Sequence, residues 1–408
     1  MSKQASDNKY RFIPYRKNDI VEMCIQDNRL LGKEDDFRHL SHKLSILFHL
    51  EFHQVIESLK NSYASVDPDS DTRQTGLTKH QPEKNFVDIL SGLLEKANFE
   101  RITEAELSQA LNKSSLFKIS LHVDFDDFSE ILLFCRGESS KQESVSSWMG
   151  LRKKTIDFIN YERVIVYIRF KDDYEQSKDQ LPSCKPGSTL IRLFQNVPKA
   201  DLEMLFPNTR IRMRTIDKLL IGIPALVSGG IVITTKLGAS LIIVGSLLGF
   251  WLGLSNQAVE LNKTALMALL AGLVALGAYL WKQFNNFKNR KLKFMQSLTQ
   301  NLYFKNLDNN AGVFHRLVND AEEEECKEAI LAYYFLLVSD KPLSKTNLDH
   351  NIETWMMKKW GCSINFEIDD ALEKLLALEL IQDSNGKFTA ITIDSGKKNL
   401  DQRWADYL

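Results

Sequence analysis

The stretch Tyr303–Ala329, "YFKNLDNNAGVFHRLVNDAEEEECKEA", joins a polar Asp-Asn-Asn turn to four consecutive glutamates. Its composition raises three hypotheses: a metal-binding loop, a cluster of catalytic acids, and the start of a helix. Asp308 and Asn310 are two residues apart, as calcium ligands are, but Gly312 comes one position too early for a calcium loop. The four glutamates do not supply the remaining ligand spacing. The pattern therefore favours helix starts over a metal site.

Two helix starts account for the same residues. We expect Asp308 or Asn309 to cap a first helix, and Asp320 to cap a second helix with Glu323 closing a capping box. The glutamates would then lie in first turns, where the helix dipole favours negative charge. A buried stripe follows at helical spacing, formed by Cys326, Ile330, Tyr333 and Leu337.

The C-terminal part has the pattern of a winged-helix domain. "LSKTNLDHNIETWMMKKWG" predicts a helix ending at Gly361, "FEIDDALEKLLALELI" predicts another helix, and "IQDSNGKFTAI" predicts a hairpin turned by Asn385-Gly386. The helix before the wing carries one cation, Lys374, against the acids Glu367, Asp369, Asp370, Glu373 and Glu379. Such a helix would repel phosphates, so we expect no nucleic-acid partner and a protein-contact or structural role.

Three uncharged apolar runs lie in the middle of the chain. They cover Leu219–Thr235, Leu237–Val259 and Thr264–Trp281, which are 17, 23 and 18 residues long. A helix needs about 20 residues to cross about 30 Å of hydrocarbon, so the second run qualifies and the third nearly does. Pro224 and two adjacent glycines interrupt the first run, which favours an interfacial or re-entrant segment.

Basic residues flank these runs on both sides, which favours an even number of crossings with both termini cytoplasmic. We therefore predict a transmembrane helical hairpin with spans at about 237–256 and 264–282, joined by the polar turn "SNQAVELNK". Residues 219–235 are the interfacial or re-entrant segment, or a third span that would place the two soluble parts on opposite sides.

Small residues form a stripe on both predicted spans. Gly245, Gly249 and Gly253 recur at i, i+4 and i+8, and Ala271 and Ala275 recur on the following run. Small residues let membrane helices approach closely, so we predict helix packing and a homo-oligomer through this stripe. The alternative is that glycine and alanine are simply common in such helices. No charged residue lies inside the runs Leu237–Val259 and Thr264–Trp281, which disfavours a transporter or channel.

The N-terminal part has a helical period first and a strand period afterwards. Helices are predicted at about 18–29, 34–63, 84–98 and 103–113, the last opened by a capping box from Thr103 to Glu106. Strands are predicted in "KISLHVDF", "EILLFCRG", "RVIVYIRF", "TLIRLF" and "RIRMR". This order predicts an α+β domain with an antiparallel sheet. The predicted division is 1–215 (α+β), 216–284 (membrane) and 285–408 (helical and winged-helix-like).

A row of histidines on the helix at 34–63 offers the sharpest chemical hypothesis. His39, His42, His49 and His53 fall on one face, opposite an apolar stripe. His49 and His53, four residues apart, could share a metal, whereas His42 lies about 10 Å further along the axis. The alternatives are a pH-sensitive contact and an ordinary polar helix face.

The overall composition argues against several functional classes of protein. The 52 basic and 53 acidic residues nearly cancel, so no global field steers the chain toward nucleic acid. The five cysteines are far apart and form no CxxC pair, which fits reduced thiols. No Walker A, GxGxxG or GxSxG motif occurs, so we expect no cofactor and assign no catalytic residue.

Three segments carry a family resemblance. They are "RFIPYRKNDIV", "LFQNVPKADLEMLFP" and "LYFKNLDNNAGVFHRLVNDAEEEECKEAILAYYFLL". Their combination resembles the transmembrane protein 143-like family, a domain of unknown function. The resemblance implies a membrane protein with two spans, without an established activity or agreed catalytic residues. Together with a start that lacks transit-peptide features, it favours a prokaryotic cell membrane.

The leading functional hypothesis is a non-enzymatic, membrane-anchored interaction or scaffold protein. Its expected partners are the lipid bilayer, a second copy of the chain and an unknown protein. Two alternatives stay open: a metal-dependent enzyme or sensor using the face of His49 and His53, and a membrane-tethered regulator using the winged-helix-like part.

Overall fold

The computed structural model describes residues 10–70, 84–112, 120–147, 152–175, 184–212, 238–253 and 263–407. Contacts divide the chain into two compact units. The first unit contains Met1–Leu116, Asp124–Asn208 and Lys305–Leu408, and the second contains Phe117–Val123 and Thr209–Phe304. The N-terminal and C-terminal parts, which the sequence pattern separates into two domains, thus share one unit.

Four helices open the first unit. They are α1 (Lys17–Gln26), α2 (Glu34–Tyr63), α3 (Lys84–Lys96) and α4 (Glu104–Asn112). Helix α2 has the predicted bounds, because its buried residues recur three or four positions apart over its 30 residues. Helix α4 begins with the predicted capping box: the Glu106 N–H donates to Thr103 Oγ1 at 3.2 Å, and the Thr103 N–H donates to Glu106 Oε2 at 2.9 Å.

A five-stranded antiparallel sheet follows the helices. Its strands are β1 (Glu100–Arg101), β3 (Phe128–Ser147), β4 (Arg152–Phe170), β5 (Thr189–Pro198) and β7 (Asn306–Asn309), in that order across the sheet. The predicted α+β class with an antiparallel sheet is therefore confirmed. Consecutive residues of β4 from Val164 to Ile168 are all buried, so both faces of the central strand are covered.

The polar turn "NLDN" is the strand β7, which the sequence analysis missed. Leu193 of β5 pairs with Asp308, and Arg192 pairs with Asn309. Asn310, with a φ of 47° and a ψ of −127°, is the N-cap residue of helix α7 (Ala311–Leu337). The predicted cap at Asp320 is wrong: Asp320 lies inside α7, and the four glutamates lie in its middle turns rather than at a helix start.

The winged-helix arrangement is present after α7. It consists of β8 (Leu343–Ser344), α8 (Lys345–Trp360), α9 (Ile368–Ala377), β9 (Ile381–Asp383) and β10 (Lys387–Ala390), and α10 (Ile393–Tyr407) follows it. The three strands are antiparallel in the order β8-β10-β9. As predicted, Gly361 ends α8 with a left-handed φ of 63°, and Asn385-Gly386, both with positive φ, turns the hairpin.

Within its described residues, the second unit contains a small pair of strands and two helices. Strand β2 (Ser120–His122) pairs with β6 (Arg210–Arg212), and the helices are α5 (Gly238–Trp251) and α6 (Lys263–Lys305). Among the residues described, no helix combines the length and apolar character needed to span a bilayer. This finding contradicts the predicted transmembrane hairpin. Residues 219–235 and the turn after 253 lie outside the described residues.

The end of α5 shows why an apolar run is an incomplete guide to a span. The helix has 14 residues and rises about 21 Å, short of the roughly 30 Å of a hydrocarbon core. A turn follows, in which the Gly253 N–H donates to the Phe250 carbonyl and Gly253 takes a φ of 71°. The apolar segment at 264–282 is the first part of α6, a 43-residue helix that continues through the basic run.

Candidate functional site

The densest group of ionisable residues lies on α7. We call it the α7 charge cluster, and it consists of Asp320, Glu322, Glu323, Glu324, Glu325, Lys327 and Glu328. Consecutive helical residues point about 100° apart, so these side chains radiate in all directions from the axis. Helices α1, α2, α3 and α9 surround α7. The carboxylates of the cluster therefore contact several different segments of the chain.

Glu324 and Lys327 form the most buried ion pair of the cluster. Lys327 Nζ lies 2.7 Å from Glu324 Oε1, and both side chains are about 5% exposed. The pair also holds the segment before α1, because Glu324 Oε2 accepts from the Ile13 N–H at 3.0 Å and Lys327 donates to the Ile13 carbonyl at 2.6 Å. A buried ion pair is tolerated only when its remaining hydrogen-bonding capacity is met in this way.

Glu322 and Glu323 face α1 and α2. Glu322 Oε1 lies 3.3 Å from Lys17 Nζ, and Glu322 Oε2 lies 2.9 Å from His49 Nδ1. Lys17 Nζ also donates to Ser45 Oγ at 2.7 Å, and Glu323 accepts from the Lys17 N–H at 3.2 Å. A serine beside a lysine resembles the start of a nucleophilic dyad. Here, however, the same Lys17 amino group is also paired with the Glu322 carboxylate, so the contact belongs to the packing of α1 and α2 against α7.

The two histidines proposed for a metal do not converge. His49 contacts Glu322, while His53 is exposed one turn further along α2. In the part of the chain that the structure describes, no three histidine, cysteine, aspartate or glutamate side chains are placed to hold a metal ion. The geometry thus gives His49 a protein carboxylate as its neighbour and offers no further ligands beside it.

Glu325 lies between two lysines and two aromatic rings. Its carboxylate, 2% exposed, pairs with Lys374 of α9 and lies 3.7 Å from Lys96 Nζ of α3. Lys374 Nζ stands 4.6 Å from the ring centroid of Phe48 and 5.2 Å from that of Phe52. Cation–π contact and the carboxylate together stabilise the buried ammonium group.

Burial changes the proton affinity of two further groups on α7. Burial, reinforced by the charges of Glu324, Glu325 and Asp370, raises the pKa of Glu328 well above its usual range, although a 3.2 Å hydrogen bond from Asn98 opposes this shift. Burial likewise raises the pKa of the Cys326 thiol to about 12. Burial therefore favours the protonated form of Glu328 and makes Cys326 a poor nucleophile.

A pocket of about 410 Å³ opens beside the Glu325 site, between α2, α9 and α10. We call it the α9 pocket. Its apolar lining comes from Leu47, Phe48, Ala377, Leu378 and Tyr407, and its charged lining from Glu51, Lys96, Glu325, Asp370, Glu373, Lys374 and Arg403. Arg403 donates from Nη2 to the Ala377 carbonyl at 2.6 Å.

The small-residue stripe falls on separate elements of the second unit. Gly245 and Gly249 lie on α5, Gly253 lies in the turn after it, and Ala271 and Ala275 lie on α6. A Cβ added at any of the three glycines would meet no described atom within 4 Å. Ala271 is exposed. Within the described residues, the structure brings no other element against these glycines.

Sequence reasoning missed the partners of the α7 charge cluster. Lys17, Lys96, Asn98 and Lys374 lie tens to hundreds of residues from α7 in the chain. No spacing rule links residues so far apart. One weak signal in the sequence indicates the single helix: the helical periodicity runs without a break from the turn at Asn310 to Leu337.

Comparison with known families adds one match. Residues 161–312, from β4 to the start of α7, match the model of a family described as "Protein of unknown function (DUF3754)". No solved structure matches the chain. The match is consistent with the predicted likeness to an uncharacterised domain, and it does not identify the transmembrane protein 143-like family.

Proposed function

We propose that this protein is a non-enzymatic interaction or scaffold protein, and that its winged-helix-like part contacts another protein through α9. The observation that supports this proposal is the charge that α9 presents outward. Asp369, Asp370 and Glu373 are exposed on this helix, and its one cation, Lys374, points inward to Glu325. Helix α9 occupies the position at which winged-helix domains often contact DNA, and here it would repel phosphates.

The α7 charge cluster supports a structural rather than a catalytic use of its acids. The carboxylates at positions 322, 323, 324, 325 and 328 each accept a hydrogen bond or an ion pair from another segment of the chain. Catalytic acids need a pKa matched to proton transfer and access to substrate. These carboxylates are instead committed to holding α1, α2, α3 and α9 around α7.

The resemblance to the transmembrane protein 143-like family stays a prediction from the sequence. That family has no established activity or agreed catalytic residues, so it adds none to the proposed function. We favour the metal-dependent alternative at His49 and His53 less than the interaction role, because His49 faces a carboxylate that already contacts Lys17.

Site-specific photo-crosslinking in cells tests the proposed function. A photoreactive amino acid at position 373 on α9 should give a discrete protein adduct, identified by mass spectrometry. The matched control is position 104 in the first turn of α4, which is equally exposed and acidic. No adduct specific to position 373, or retention of the full chain on DNA through α9 at low salt, would contradict the proposal.

A further inference from the structure

The α9 pocket combines an apolar floor with carboxylates that have no partner in the described structure. Glu51, Asp370 and Glu373 line it and form no hydrogen bond or ion pair with any described residue. Its volume of about 410 Å³ lies in the range of ligand sites in proteins, roughly 300 to 1,000 Å³. The pocket is therefore large enough to receive a long side chain from outside.

The cations of the pocket are already engaged. Lys96 and Lys374 share the carboxylate of Glu325 and stand over aromatic rings, and Arg403 donates to the Ala377 carbonyl. An anionic ligand would have to compete for these groups. A cationic ligand would instead meet Glu51, Asp370 and Glu373, which form no ion pair with a described residue. The lining carries four carboxylates against three cations, so its formal charge of −1 complements a cation.

The apolar lining of the α9 pocket indicates which kind of cation fits it. Leu47, Ala377 and the ring of Tyr407 lie beside the free carboxylates. Lysine and arginine bury their methylene stems on apolar surface while their charged ends reach polar groups. Glu51 lies close enough to Tyr407 for its charge, after burial, to raise the pKa of that phenol. A long basic side chain that enters the pocket could therefore lay its methylene stem on the apolar lining and place its charged end near the carboxylates.

We propose that the α9 pocket is a docking site for a basic protein segment, which inserts an arginine or lysine side chain against Leu47 and Ala377 and pairs with Glu51, Asp370 and Glu373. This inference rests on the proposed function, since it names the site and the charge of the protein partner. A similar arrangement already exists within the chain. The ammonium group of Lys374 lies against the rings of Phe48 and Phe52 and pairs with the carboxylate of Glu325.

Fluorescence anisotropy with the full chain tests the proposal. The probe is a labelled, capped peptide, Gly-Arg-Ala-Lys-Leu-Arg-Ala-Gly, measured at about 0.1 M salt, where charges are screened beyond about 10 Å. The triple variant Glu51→Gln/Asp370→Asn/Glu373→Gln should weaken binding about tenfold, as the loss of three exposed ion pairs implies. Ala377→Trp, which fills the pocket without changing charge, should weaken it to a similar extent.

The controls separate docking from simple attraction between opposite charges. Glu104→Gln/Asp340→Asn removes two exposed carboxyls elsewhere and should change affinity by less than about twofold. Circular dichroism and the unfolding midpoint check that each variant folds; if Ala377→Trp does not, Glu373→Lys, which reverses a charge on the exposed face, replaces it and should abolish binding.

Several results would overturn the proposal. They are no binding of the peptide to the natural chain, unchanged binding by the pocket-filling variant, an equal loss in the control variant, and binding of spermidine as tight as that of the peptide. Failure of peptide binding together with a specific crosslink from position 373 would leave the proposed function standing. Loss of that crosslink would remove the proposed function itself.

Discussion

At the scale of single residues, the ionisable side chains of α7 connect the fold. Four consecutive glutamates in the middle of a buried helix are costly unless each finds a partner, and here each does. Asp27 plays a comparable part between α1 and α8. It accepts from Tyr334 Oη at 2.7 Å and Trp355 Nε1 at 3.0 Å, and it pairs with Lys359. These bonds outweigh burial and lower the pKa of Asp27.

Lys327→Met should be strongly destabilising. The substitution leaves the Glu324 carboxylate buried without its cation, which costs about 3 to 5 kcal/mol of unfolding free energy. Adding Glu324→Gln should recover most of the loss, because no unpaired charge then remains. Urea denaturation measures both. The control is Lys60→Met, which breaks an exposed pair of the same i,i+3 spacing with Glu57 and should cost less than about 1 kcal/mol.

Glu328 should make stability fall as pH rises. Its pKa is raised above the usual 4.5 in the folded chain, so between these two values the folded state binds more protons than the unfolded state. The stabilising contribution is present below about pH 4.5 and is lost as pH rises toward the folded pKa. Glu328→Gln abolishes this loss, so the variant should gain stability relative to the natural chain between pH 5 and pH 8.

Urea unfolding at both pH values measures the effect of Glu328. Glu104→Gln, an exposed carboxyl on α4, is the reference for removing a charge. A stability difference between Glu328→Gln and the natural chain that does not change with pH would contradict a raised pKa of Glu328 in the folded chain.

At the scale of elements, α10 depends on close approach to α2 and the wing. A Cβ on Gly396 would lie 2.8 Å from Leu40 Cδ1 and 3.2 Å from Leu380 Cδ2. Helix α10 can therefore pack at this point only because glycine lacks a side chain. The α9 pocket, part of whose lining comes from α10, is indirectly positioned by the same contact.

Gly396→Ala should destabilise the protein by about 1 to 3 kcal/mol, because overpacking forces α10 away from Leu40. Gly92→Ala is the matched control. Gly92 is also helical, in α3, but an added Cβ there meets nothing within 4 Å, so alanine should stabilise by about 0.5 to 1 kcal/mol. Thermal unfolding of the two variants should therefore shift in opposite directions, and shifts of equal sign would contradict this packing.

At the scale of the whole molecule, the first unit has a large apolar core built from both ends of the chain. The buried apolar cluster reaches from Ile13 to Leu400 and includes residues of α2, α3, the sheet, α7 and the winged-helix-like part. The segment at Tyr10 also forms a parallel bridge to Ile364. We expect this core to unfold cooperatively rather than as two domains.

Hydrogen exchange tests this expectation. Amides of α2, α7 and α9 should reach a common opening free energy under mild denaturant, and Lys327→Met should lower all three by the same amount. Lys60→Met should leave them nearly unchanged. Loss of protection in α9 alone would instead indicate that the winged-helix-like part is an independent folding unit.

Local patterns in the sequence determined a substantial part of this structure. The bounds of α2, the capping box at Thr103, the end of α8 at Gly361 and the hairpin at Asn385-Gly386 all follow from interactions within a few residues. Such features depend on backbone hydrogen bonds, caps and periodicity, which neighbouring residues control directly. The pairing of β9 with β10 follows from the same signals, whereas β8 joins this sheet through a pairing of Leu343 with the distant Phe388 that no local pattern predicted.

Tertiary structure alone decided the rest, because its interactions join residues that are distant in the chain. Asn306–Asn309 is a strand only because β5 offers an edge to pair with, and Asp320 lies inside a helix because α7 begins nine residues earlier, at Ala311. A glutamate run has the same pattern whether water or lysines surround it. The partners of Glu324 and Glu325, and the pocket beside them, exist only once α1, α3 and α9 pack around α7.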